Sequence, residues 1–400
     1  MYRCVCFALL LSIHGTLPAA GEPWRRHTID GSSRGADGVR LADVNGDGLA
    51  DIATGWEEGG VVRAYVNPGP KAASRPWPAV TVGSVKSPED AVFADLDGDG
   101  ATDVVSSTEG KSRTLYAHWA PPDPADYLTA DSWKTEPFPE LAGKEMWMFC
   151  LPLDVDGRRG IDLVVGSKGN GASIGWLESP ADPRDLAAWK YHRMHDAGWI
   201  MSLRARDMDG DGDLDVLASD RKGKGRGVLW LEHPGVEAAR AGKAWREHRI
   251  GAADREAMFL TTADLDGDGR TDIACAIKDR GLSLFFAPAD RAQPWQHVEV
   301  PLPAGCGTGK GVAAGDLDGD GRIDLVFSCE NATGDKSGVR WLAYDKSPRE
   351  AAWQQREISG PEGIKFDRLE LLDLDRDGDL DVLCCEERAS LGVFWYENPR

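Results

Sequence analysis

Short runs of β-branched and apolar residues alternate along the chain with clusters of aspartate and glycine. No stretch keeps the three-and-four spacing of an amphipathic helix. Seven of the runs are variants of one another: DIATG from Asp51, DVVSS from Asp103, DLVVG from Asp162, DVLAS from Asp215, DIACA from Asp272, DLVFS from Asp324 and DVLCC from Asp381. A short, partly apolar segment and an acidic turn precede each one. A glycine-rich gap and a further run follow, as in GWLESP, GVLWLEHP, GVRWLAY and GVFWYENP. The last run of each unit is marked by a tryptophan: Trp24, Trp77, Trp133, Trp189, Trp245, Trp295 and Trp353. This pattern predicts an all-β chain in which four strands make one unit.

The acidic turn carries the repeat. It reads DVNGDGLAD from Asp43, DLDGDGATD from Asp95, DVDGRRGID from Asp154, DMDGDGDLD from Asp207, DLDGDGRTD from Asp264, DLDGDGRID from Asp316 and DLDRDGDLD from Asp373. Successive starts lie 52 to 59 residues apart, room for four short strands and their turns. Seven such units close most economically into a seven-bladed β-propeller of four-stranded blades, because radial repetition protects sheet edges that an open stack leaves bare. The described runs begin with a tryptophan strand, Trp24 to Ile29, and end with the third strand of unit seven. Blade seven is therefore expected to take its outer strand from the N-terminal segment, with residues 22–400 forming the propeller.

Carboxylates at positions 1, 3, 5 and 9 of a tight turn, with glycine at position 6, direct alternate oxygens inward. Such a cage suits a hard cation with six to eight oxygen ligands, Ca2+ ahead of Mg2+. The expected ligand sets are Asp43, Asn45, Asp47 and Asp51; Asp95, Asp97, Asp99 and Asp103; Asp207, Asp209, Asp211 and Asp215; Asp264, Asp266, Asp268 and Asp272; Asp316, Asp318, Asp320 and Asp324; and Asp373, Asp375, Asp377 and Asp381. An EF-hand would place Glu at position 12, where these six turns hold Thr54, Ser106, Ala218, Cys275, Phe327 and Cys384. Up to six Ca2+ ions are thus expected. Blade three should be empty, since Arg158 occupies position 5 and is expected to lie against Asp154 and Asp156.

Seven DLDGDGxxD-type strings, each followed by an apolar strand, resemble FG-GAP or VCBS repeats. These are the calcium-loop repeats of the seven-bladed propeller at the head of integrin alpha chains and of many secreted bacterial proteins. The resemblance implies the same fold and Ca2+ loops. A weaker similarity, to the propeller part of aldos-2-ulose dehydratase, implies carbohydrate chemistry; the additional cupin-like domains of that sugar lyase have no counterpart here.

The chain has 66 Asp and Glu against 46 Lys and Arg, a net charge of −20. The ligand positions of the six intact turns hold 23 of those carboxylates, so the excess acidity belongs to them. An acidic surface argues against a nucleic-acid partner held through phosphates. Residues 1–21, with Arg3, an apolar stretch from Cys4 to Ile13 and small residues at Ala19 to Gly21, read as a signal peptide. Its apolar core is shorter than the roughly 20 residues of a membrane-spanning helix. A secreted or periplasmic monomer without membrane insertion is expected. Of its six remaining cysteines, Cys306 and Cys329 form the best candidate bridge.

The face opposite the acidic turns is where a site is expected. Segments before each first strand and after each second strand converge there around the channel. Trp56, Trp147 and Trp199 fall outside the repeat's own tryptophans and map to this face, either as platforms for a sugar ring or as channel plugs. His195 is expected at the channel mouth as a general base, with Glu89, Glu145 or Glu256 beside it. Lys222, Arg226, Lys310 and Lys365 are candidates to bind a ligand or neutralise an oxyanion. Two functions follow: a binding module for a glycan or protein ligand, or a carbohydrate lyase or dehydratase abstracting a proton from an oxidised sugar or uronate.

Overall fold

The computed structural model describes residues 21–400. The expected signal peptide, with Cys4 and Cys6, lies outside the described residues up to position 20. Seven four-stranded antiparallel sheets are arranged in sequence around an axis. We label the strands of each blade a to d from the axis outward. The seven a strands are Ala36–Ala42, Pro88–Ala94, Met146–Leu153, Ile200–Arg206, Ala257–Ala263, Thr308–Gly315 and Phe366–Leu372, and each contacts the a strand of the next blade around a closed ring.

Blade seven completes the circle as the repeat predicted. Its strands a, b and c are Phe366–Leu372, Asp381–Glu386 and Gly392–Glu397, and strand d is the N-terminal Arg25–Asp30, antiparallel to strand c with His27 opposite Trp395.

Burial follows position in the blade. Strand b, covered on both faces by neighbouring blades, is buried at every position in blades one, two, four, five and seven. Strand d faces solvent, and Lys190–Asp196 of blade three has no buried residue. Each repeat tryptophan stands at or just before the start of a d strand. Three strand-d histidines stack on the strand-c tryptophan and bond its neighbouring glutamate: His27 on Trp395 with Glu397, His192 on Trp176 with Glu178, and His248 on Trp230 with Glu232. These histidines are framework. Among the described residues helix is confined to Val236–Arg240 and three single 3-10 turns, and none is long and apolar enough to cross a membrane. All six described cysteines are buried free thiols, so the expected Cys306–Cys329 bridge is not formed.

Candidate functional site

The seven acidic turns connect strands a and b at one end of the propeller. The first aspartate of each turn is tied back to the loop's own amides: Asp43 Oδ1 accepts from Gly46 at 2.8 Å, and its Oδ2 accepts from Gly48 at 2.8 Å. The ninth aspartate is a buried clip. In six blades it accepts one backbone N–H from position 2 of the turn and another from the first or second residue past strand c. For Asp51 these are Val44 at 2.9 Å and Asn67 at 2.7 Å. Burial outweighs those bonds and pushes Asp103, Asp162 and Asp324 up to about 7 and Asp381 up to about 8.

Position 3 is the least satisfied. One carboxylate oxygen of Asp156, of Asp266 and of Asp318 is buried without a hydrogen-bond partner. Oxygens of Asp95, Asp97 and Asp99 lie within 4.8 Å of one another, as do those of Asp207, Asp209 and Asp215. Arginines from the next blade partly neutralise two turns: Arg184 pairs with Asp97 and is 3.5 Å from Asp99, and Arg349 is 2.6 Å from Asp266.

Blade three departs from expectation. Arg158 is exposed rather than folded over the turn, and Asp154, Asp156 and Asp162 still converge within 4.8 Å. Arg159, at position 6, takes the left-handed conformation (φ 59°) that glycine takes in the other turns, so the loop keeps its shape.

At the opposite end, the starts of the a strands and the ends of the b strands surround a funnel of 530 Å³. Two rings of side chains at constant register line it. Six residues before the first aspartate of each turn stand Asp37, Glu89, Met148, Met201, Met258, Lys310 and Asp367. Fourteen residues after it stand Glu57, Glu109, Lys168, Arg221, Lys278, Glu330 and Glu387. All but Met258 face the funnel, along with Phe149, Trp199, Phe259 and Lys365.

The rings are polarised. Blades seven, one and two contribute a carboxylate to both rings, whereas blades three, four and five contribute methionines and cations. Blade six mixes the two, with Lys310 and Glu330.

Ion pairs cross between blades: Lys168 lies 3.3 Å from Glu89 and also pairs with Glu109, Lys278 lies 3.2 Å from Glu330, and Lys310 3.2 Å from Asp367. Within blade seven Lys365 pairs with Glu387. Burial, reinforced by the charges of Asp367 and Glu89, pushes the Asp37 carboxyl well above the usual range. Burial also raises Glu89, against the pull of Lys168. For Asp367 burial is outweighed by Lys310 and Lys365, which hold it low.

Of the residues expected to form the site, Glu89, Trp199, Lys310 and Lys365 line the funnel. Lys222 borders it through Trp199, whose ring centre it approaches to 4.8 Å; Lys168 and Arg221 reach the same ring at 4.8 and 4.5 Å.

The others are elsewhere. Trp56 and Trp147 are fully buried, Trp56 donating to Tyr65 Oη and Trp147 packing in the core between blades two and three; they are plugs, because each lies where a b or a strand is sealed by its neighbour. His195 sits in outer strand d of blade three, 3.4 Å from Glu247 of the next blade, with burial lowering its affinity for a proton. The sequence pattern suggests a loop before strand a at this segment, but strand d extends through Asp196 and carries His195 off the axis. Glu145 accepts from Ser173 at 2.7 Å and pairs with Arg193. Glu256 lies 2.8 Å from Arg221, and Arg226 donates to the Ala253 carbonyl. None of these four lines the funnel.

Sequence reasoning passed over Asp37, Lys168 and Glu330. The constant offset from the acidic turn was the signal that would have found them.

Comparison with protein families matches FG-GAP-like repeats to residues 43–106 and 248–327, which hold the turns of blades one, two, five and six. Comparison with curated proteins returned no match.

Proposed function

We propose that this seven-bladed propeller of FG-GAP-like repeats is a secreted or periplasmic, Ca2+-stabilised binding protein that takes a carbohydrate ligand in the funnel opposite its acidic turns. The observation that carries the reading is the polarised double ring around a 530 Å³ cavity. That volume falls in the usual range for small-molecule sites, and a concave funnel fits a small ligand better than a protein surface. Acceptors on one arc and donors on the other offer hydroxyl groups both kinds of hydrogen-bond partner. An acidic group on the sugar would face the arc of Lys168, Arg221 and Lys278, and half-buried Trp199, whose indole N–H has no partner, would flank the ring after exposed Lys222 swings aside. Isothermal titration with a panel of neutral and uronate oligosaccharides tests this. Binding lost in Trp199→Ala supports it; no binding to any member of the panel refutes it.

The Ca2+ component rests on the unpartnered position-3 oxygens and the convergent carboxylates of the turns. Bound Ca2+ would supply the positive charge that these buried oxygens lack. Asp, Asn and backbone oxygens are the donors such an ion prefers.

A catalytic reading is favoured by one observation: the raised carboxyls of Asp37 and Glu89 stand at the cavity wall as proton donors, whereas His195, expected as a general base, lies off the axis. Absorbance from a new double bond on incubation with uronates or oxidised sugars would support a lyase, and its absence from the whole panel would exclude one.

A further inference from the structure

Behind Phe259 of the funnel wall, the axial channel gathers arginines. The a strands of blades one, four and seven carry Arg40, Arg204 and Arg368, which act on one another electrostatically. Two carboxylates stand among them, Asp90 and Glu370, and both are committed. Asp90 accepts from Nε and Nη2 of Arg40 at 2.7 Å each, and Glu370 accepts from Nε of Arg368 at 3.0 Å.

Arg204 is left over. Its Nε donates to the Leu260 carbonyl at 3.1 Å. Among the described residues its two terminal nitrogens donate to no protein acceptor, and Glu370 attracts it only from beyond ion-pair contact. The terminal nitrogens of Arg368 are likewise unbonded, since its pairing runs through Nε. Burial, reinforced by the charge of Arg368, lowers Arg204 to about 10, so it is still a cation at neutral pH. The cluster therefore holds one more positive charge than negative, and a charge removed from water without a counter-charge is costly.

Arg204 and Arg368 border a cavity of about 10 Å³, together with Phe259, Leu260, Gly311 and Val312. That is room for one particle of about the size of water. Water fills such a space but leaves the extra charge unmatched, whereas a carboxylate or phosphate group is too large for it. A single-atom anion meets both conditions.

We propose that Arg204 and Arg368 bind one halide ion, chloride in ordinary salt, in the axial channel behind the funnel. The ion accepts from the free terminal N–H groups of both arginines and supplies the negative charge that Asp90 and Glu370 do not. Phe259 borders both spaces and stands between the ion and the funnel, so a ligand in the funnel neither supplies nor displaces the ion.

The test uses the full propeller and simple salts, and depends on neither a sugar nor Ca2+. Crystals soaked in NaBr should show an anomalous peak between the guanidinium groups of Arg204 and Arg368. In solution the melting temperature should be higher in NaCl or NaBr than in sodium methanesulfonate at equal ionic strength, because the halide binds the native state alone. Arg204→Met should remove the peak and this difference, or weaken halide binding at least about tenfold, the weight of one charge-assisted hydrogen bond. Glu370→Gln, which removes a competing carboxylate, should tighten it. A channel without anomalous signal overturns the proposal, as does a peak unchanged in Arg204→Met. A bromide peak without any halide-dependent melting marks an adventitious ion only and overturns it too. Should Arg204→Met fail to fold, Glu370→Gln decides, and halide affinity that is unchanged or weaker there refutes the site.

Discussion

Deleting the N-terminal segment through Asp30 should open the ring at blade seven. That segment contributes Trp24, which is 7% exposed and packs edge-on against Trp341 at 6.1 Å, and Ile29, which is 1% exposed. Loss of such side chains costs about 3–5 kcal/mol for a buried tryptophan and about 2–5 kcal/mol for an isoleucine. The segment also carries the ladder to Val393–Glu397, the Trp24 N–H bond to the Ile358 carbonyl at 2.8 Å and the His27–Glu397 contact at 2.6 Å, each bond worth about 0.5–1.5 kcal/mol. Asp30 further accepts from Tyr65 Oη of blade one at 2.9 Å, so the deletion loosens two blades. Together these losses approach the whole stability of an ordinary fold, about 5–15 kcal/mol. The truncated protein should accumulate as aggregate or oligomer through the bared edge of strand c, or melt far below the intact chain. Light scattering and thermal melting read the outcome, and hydrogen exchange should show loss of protection in Gly392–Glu397. The graded variant Ile29→Ala should lower stability by about 2–5 kcal/mol without opening the ring. A monomeric truncation with unaltered melting and protection would refute the reasoning.

A chelator should lower the melting temperature and added Ca2+ restore it, since ions that bind the native state alone stabilise it by mass action; an unchanged melting curve would remove the Ca2+ proposal. Asp97→Ala should narrow that difference only modestly, because it affects one turn of several and Arg184 already pairs there. Trp199→Ala should abolish ligand binding with little change in melting, whereas Trp147→Ala should cost about 3–5 kcal/mol of stability; calorimetry on both variants separates platform from plug. Buried His118, held between Ser106 and Thr135 hydroxyls, is lowered to about 3 by desolvation. The unfolded chain takes up that proton below about 6.5 and the native one only near 3, so stability should fall with pH across that window, by about 1.4 kcal/mol per unit. His118→Gln should flatten this limb in urea titrations run from pH 6.5 to 4, and an equally steep slope would discount the histidine.

The repeat made the fold legible from sequence. Seven acidic turns at near-constant spacing, each followed by an apolar run and a tryptophan strand, leave few arrangements that bury every run, and closure through Trp24 to Ile29 follows from the strand count. Local chemistry was legible too: the aspartate spacing set the turn geometry, and even Arg159 at a glycine position adopts the conformation the turn demands. Arg158 was not, because an exposed side chain is positioned by solvent and not by its neighbours in sequence.

The funnel belongs to tertiary structure. Trp56, Trp147 and Trp199 share one face by sequence, but neighbouring blades seal the first two and leave the third open. His195 was carried outward by a strand that ran a few residues longer than its composition suggested. Asp37, Glu57 and Glu89 come from separate points in two repeats, and only the ring places their oxygens within 4.8 Å of one another. Sequence fixes which residue occupies each register position; closure of the circle decides which charges meet across the axis, because that depends on contacts between blades far apart in the chain.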